Sequence, residues 1–225
     1  MRQSFSPLLL STLLGVAACS APEPRGSFQA SLVSESTEEA DAVAAAEAGL
    51  QHFLDRVPVG ERAAAYGFFD PARLARARLS RPYRVWTADP KRLDEGAADP
   101  LTPLEEWRFP VTVDGRFHAL LTVARVDGKL RAVDFGAAGL AAELGELEQR
   151  RAVGLSTRRL LLRLFALRAD FAAFPAASAR ADQVPFEPLA SARALPQALH
   201  GAVELPRLAL WLRERVRETP APRAP

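Results

Sequence analysis

Two Asp-Gly pairs, Asp114-Gly115 and Asp127-Gly128, divide residues 107–135 into three runs in which apolar and polar side chains alternate. Asp-Gly between alternating runs is a strong hairpin signal, because both residues accept the positive φ that a tight turn requires. Trp107, Phe109, Val111 and Val113 share one face of the first run, and Phe117, Ala119, Leu121 and Val123 one face of the second. A period of two fits half-buried strands and no helix. The stretch is expected to form an antiparallel β-meander, and the rest of the chain must cover its apolar face.

Register selects the turn. A two-residue Asp-Gly loop pairs Val113 with Arg116 and sets Val111 opposite His118, which breaks the apolar face. A three-residue loop over 113–115, with Gly115 as a bulge, pairs Thr112 with Arg116. It aligns Val111 with Phe117, Phe109 with Ala119 and Trp107 with Leu121. We therefore expect the bulged turn twice, the second pairing Leu121 with Val133 and Ala119 with Phe135. Pro110 has no N–H for a ladder, which makes its strand an edge or locally irregular.

Helices are expected on both sides of the meander. Ser36-Thr37-Glu38-Glu39 reads as a capping box, and Val43, Ala46, Leu50, Phe53, Leu54 and Val57 then fall on one face of a helix ending near Arg56. Asp70-Pro71 opens a second helix and Asp89-Pro90 a short turn through Leu93. Tyr83–Ala88 reads as a strand. After Gly136 comes a helix with Leu140, Leu144 and Leu147 inward and Glu143, Glu146 and Glu148 outward. Residues 158–174 fit either period; we read one long strand paired with 183–189. Pro206 opens a last helix over 204–218, with Leu208, Trp211, Leu212 and Val216 apolar. The fold class is α+β, an antiparallel β-meander sheet packed against N-terminal and later helices. In element order alone it is similar to cystatin-like and NTF2-like folds, a likeness that implies no function.

Residues 1–18, MRQSFSPLLLSTLLGVAA, combine a basic start at Arg2 with an apolar run too short for a bilayer span, which takes about 20 residues. That is a signal-peptide pattern. It ends in Val16-Ala17-Ala18-Cys19, which resembles the lipobox of bacterial lipoproteins. The resemblance implies a diacylglyceryl group on the Cys19 thiol, cleavage before Cys19 and acylation of the new amino group, so that more than one chain holds the protein at the bilayer. Cys19 is the single cysteine of the 225 residues. No intrachain disulfide can form, and an exported free thiol lacks a purpose unless modified. Ser20 stands where an Asp resembles the inner-membrane retention signal of enteric bacteria. The implied location is the outer membrane, periplasmic face, with surface exposure also open. An ordinary secretory signal cut between Ala17 and Ser20 is the other reading. Residues 19–35 then form a flexible tether, 36–218 a single α+β domain and 219–225 a disordered Pro-rich tail.

The side chains narrow the function classes. The charge is +2 from 29 basic and 27 acidic residues, and the basic ones are Arg apart from Lys91 and Lys129. Acids are interleaved with the arginines, so no long-range field steers a nucleic acid. No G-x-S-x-G elbow occurs, Ser156 being the nearest serine. His52, His118 and His200 stand far apart without metal-ligand spacing, so neither metal nor cofactor is called for. His52 and His118 read as surface side chains. No catalytic residue is assigned. Glu105, Glu106 and Asp134 are the carboxylates an envelope hydrolase would draw on. Tyr66, Phe68, Phe69, Tyr83 and Trp86 form a candidate binding patch for an envelope protein or an apolar ligand. The last helix carries Arg207, Arg213, Arg215 and Arg217 but is broken in charge by Glu214 and Glu218. The leading expectation is a non-enzymatic, membrane-anchored binding module. A hydrolase and a protease-inhibitor-like module that offers a strand edge are the alternatives.

Overall fold

The computed structural model describes residues 36–58, 66–68, 71–154, 157–176, 178–196 and 199–218. The signal segment, Cys19, the tether, Phe69, Asp70, Ser156 and the tail at 219–225 lie outside the described residues. The helices are α1 (Ser36–Leu54), α2 (Pro71–Leu74), α3 (Pro90–Asp94), α4 (Ala138–Arg151) and α5 (Leu205–Glu218). The strands are β1 (Arg78–Leu79), β2 (Tyr83–Ala88), β3 (Leu101–Val113), β4 (Arg116–Val126), β5 (Lys129–Gly136), β6 (Leu160–Leu164), β7 (Ala169–Ala173), β8 (Pro185–Pro188) and β9 (Val203–Glu204). They form one sheet in the order β5-β4-β3-β2-β6-β7-β8-β9, with β1 beside β3. The fold is α+β. Every pairing in the sheet is antiparallel except β2 with β6.

The meander over β3, β4 and β5 forms where the alternation places it, but its turns differ from expectation. Asp114 and Gly115 have φ of 53° and 74°, and Asp127 and Gly128 of 49° and 74°. Positive φ at both central residues is the two-residue type I′ turn, whose twist matches that of the strands. Val113 accordingly pairs with Arg116 and Val126 with Lys129. The apolar face is rescued further along. His118 is an extra residue in β4, so Thr112 faces Phe117 while Val111 faces Ala119. Val133 plays the same part in β5, between the pairs Val123–Ala132 and Thr122–Asp134. Phe109 then meets Leu121, and Leu121 meets Phe135. The extra residue sits in each second strand and not in the turn.

Pro110 lies in an interior strand. Its carbonyl accepts from the Ser80 amide at 2.8 Å. A strand residue's C=O and N–H point to the same side, so the missing donor faces the break between β1 and β2, where no ladder bond is required. Residues 158–174 are two strands and not one: β6 and β7 form a hairpin through a 3₁₀ turn at Phe165–Leu167, closed by Arg168 with φ of 50°. The expected pairing with 183–189 is made by β7 on β8 alone.

Three apolar clusters hold the layers together. Under α1 lie Trp107, Phe109, Val111, Ala119, Leu121, Val123 and Phe135. Under α3 and α5, on the same sheet face, lie Trp86, Leu160, Leu162, Phe171 and Phe186. On the opposite face Tyr83, Val85, Leu120, Leu161 and Ala172 pack beneath Ala141, Leu144 and Leu147 of α4. Burial on this scale stabilises by about 25 cal/mol per Å² of apolar surface removed from water.

Candidate functional site

β2 and β6 run parallel, so both enter the sheet from one end. The residues ahead of them converge there: Arg81 and Pro82 before β2, Thr157, Arg158 and Arg159 before β6. With Arg84, Trp107 and Glu39 they wall a cavity of about 30 Å³. The Arg84 amide donates to the Arg159 carbonyl at 3.0 Å, which ties the two strand starts together.

Arg84 is 7% exposed. Its guanidinium carbon stands 3.9 Å from the centroid of the Trp107 ring, and Nη1 donates to Glu38 Oε2 at 3.0 Å. A cation this deep is tolerable because an anion and a π face replace its water. Glu38 also lies 3.9 Å from Nη2 of Arg125, whose Nε donates to Glu105 at 2.7 Å. The first turn of α1 is thus clamped to β2, β3 and β4. Arg84 Nε and Arg158 Nη1 are buried with no hydrogen-bond partner among the described residues.

A second polar cluster lies behind Arg159. Its Nε and Nη2 donate to the two oxygens of Glu148 at 2.6 and 3.1 Å, a bidentate geometry. Nη1 donates to the Thr157 carbonyl at 2.9 Å. The Tyr83 hydroxyl donates to Glu148 Oε1 at 2.7 Å. Burial, reinforced by the charge of Glu148, pushes the Tyr83 phenol well above its ordinary range, so it stays protonated and keeps donating.

The four candidate aromatic residues that are described, Tyr66, Phe68, Tyr83 and Trp86, do not form one patch. Tyr83 and Trp86 have no exposed surface, and they leave β2 on opposite faces, in the clusters beneath α4 and α5. Tyr66 and Phe68 stack on Phe135 at 6.4 and 6.2 Å, beneath α1. The patch is split because β2 is covered on both faces, so aromatics that sequence proximity groups together are separated by the sheet.

His118 is not a surface side chain. Its Nδ1 lies 2.9 Å from the Gly67 carbonyl, and its ring stacks on Phe68. No group of His, Cys, Asp or Glu among the described residues could hold a metal ion. Glu105 and Glu106 are consecutive strand residues and so leave β3 on opposite faces. Glu105 engages Arg125, while Glu106 and Asp134 both approach Arg108, at 2.8 and 3.9 Å.

Glu148 and Glu143 depart from the outward reading. Glu148 is 13% exposed along its side chain, and Glu143 accepts from the Ala190 amide. The signal for Glu148 was available, since it follows buried Leu144 by four residues, one helical turn. The arginine cavity had no such signal: its two halves are more than 70 residues apart in the chain. A wider groove of about 290 Å³ adjoins it across Thr157, bounded by Val153, Phe174, Ala176 and Pro185 and by the ion pair of Arg151 with Glu187.

No protein-family model matches this chain, and neither a curated protein nor a solved structure does.

Proposed function

We propose that the chain is an exported lipoprotein, held at the periplasmic face of the outer membrane through Cys19, whose α+β body is a binding module and not an enzyme. The observation that carries this reading is the run Val16-Ala17-Ala18-Cys19 at the end of a short apolar segment, with no second cysteine to pair with the thiol. No described helix is long and apolar enough to cross a membrane, so acyl chains are the attachment this reading requires. The body supports a binding role through its polar groups. The carboxylates a hydrolase would draw on sit against arginines, while beside a recess next to α1 two arginine N–H groups have no partner among the described residues. An envelope protein or a small ligand is the expected occupant.

Mass spectrometry of the native protein tests the tether. The N-terminal peptide is expected to start at an acylated Cys19, and Cys19→Ser is expected to give an unprocessed or soluble species. A mature chain starting elsewhere, or membrane retention unchanged by the substitution, overturns the anchor. For the body, affinity capture from gently solubilised membranes should recover a stoichiometric partner, and a clean blank counts against a protein ligand.

A further inference from the structure

We infer that the cavity at the entry of β2 and β6 is a recognition site for a carboxylate group. The inference rests on the reading of the body as a binding module and names the chemistry of what it binds. Four arginines wall the space: Arg81, Arg84, Arg158 and Arg159. Two already hold acids, Arg84 with Glu38 and Arg159 with Glu148. Glu39 is the acid in the wall itself. Among the described residues, counting Glu38, Glu39 and Glu148 against the four cations leaves one positive charge over, so the recess favours an anion.

The donors agree with the charge. A buried guanidinium N–H without an acceptor carries a desolvation cost, and two flank this site with no partner among the described residues, Arg84 Nε and Arg158 Nη1. Such groups are rare in folded proteins and point to a missing acceptor. Arg84 is fixed by the Trp107 ring, by Glu38 and by its own backbone pairing with Arg159. The site is therefore organised before any ligand arrives, which lowers the ordering cost of binding. Size chooses among anions. The volume is about 30 Å³, and one water-sized atom needs about 10–15 Å³. A flat carboxylate suits so narrow a space better than a tetrahedral phosphate does. Arginine recognises planar carboxylates through both oxygens.

The test titrates the detergent-solubilised full chain with acetyl-dialanine, its C-terminal amide and inorganic phosphate. Calorimetry and tryptophan fluorescence follow binding, since Trp107 lines the cavity. The acid is expected to bind saturably at millimolar concentration or below, and the amide to lose at least tenfold. Arg158→Met, at a half-buried position, should weaken the acid by tenfold or more without shifting the melting temperature by more than a few degrees. Arg180→Met, at an exposed arginine paired with Asp182, should leave affinity unchanged. Phosphate binding as tightly as the acid overturns the carboxylate assignment. Equal binding of acid and amide, or no binding of either, overturns the site. The two readings fail separately: a partner captured equally by wild type and Arg158→Met, with no response to the acid, keeps the binding module and removes this inference.

Discussion

Tyr83 shows how one buried side chain makes stability depend on pH. In the folded chain its phenol is pushed above the ordinary value of 10.0 by burial first and by Glu148 second. Below about pH 10 both states keep the proton and the group contributes no pH dependence. Above it the unfolded phenol ionises and the folded one does not. The unfolded state then binds fewer protons, so stability falls as pH rises, by about 1.4 kcal/mol per unit from this group. Tyr83→Phe is expected to cost about 1–3 kcal/mol at neutral pH through the lost bond to an ionised acceptor. It should also flatten the alkaline limb relative to wild type. Urea midpoints at pH 8 and 11 for both proteins check this, and parallel loss in the two would remove Tyr83 as the cause. Residue-level expectations from sequence were least secure where a polar group is buried with partners distant in the chain. Glu148 meets Tyr83 65 positions away, a relation that no local pattern encodes.

Elements were legible where periodicity and turn chemistry agree. β2 occupies Tyr83–Ala88 as the alternation indicates. α3 follows Asp89, whose carboxylate accepts from the Lys91 and Arg92 amides. The hairpins were legible in strand and face but not in register, because a bulge at the turn and a bulge three or more residues later restore the same face. Gly115 and Gly128 need a positive φ in either device, so substitution there reads the strain of the turn and not its register. Both have φ of +74° with open space where a Cβ would stand, so alanine there should cost about 1–2 kcal/mol by backbone strain alone. Gly49 is the opposite case. A Cβ there would lie 2.3 Å from Ala132 Cβ, at the contact of α1 with β5. Gly→Ala inside a helix ordinarily gains up to about 1 kcal/mol, whereas Gly49→Ala should lose about 1–3 kcal/mol through overpacking. Adding Ala132→Gly should recover part of that loss. Denaturant midpoints of the two singles and the double measure the coupling, and a stabilising Gly49→Ala would refute the close contact.

At the scale of the whole molecule, the sheet face shared by α1 and α5 carries two apolar clusters with the Arg84–Glu38 pair near where they meet. Two clusters on one face could release independently. The other face opposes that, because the cluster beneath α4 takes residues from β2, β4, β6 and β7 at once. Tyr83 and Val85 of β2 lie at its centre, and β2 pairs with both β3 and β6. Opening either half exposes apolar surface of the α4 layer as well, so the halves should unfold together. Trp86 belongs to one cluster and Trp107 to the other, which makes each a local reporter. In two variants that keep one of these tryptophans and carry Phe at the other two positions, the fluorescence midpoint in urea is expected to coincide with the far-UV circular dichroism midpoint of the same protein. Comparing probes within one protein removes the stability change that the substitutions bring. A Trp86 transition displaced from the dichroism midpoint, with Trp107 coincident, would mean that the β6–β9 half opens first and that the α4 layer does not couple the two halves.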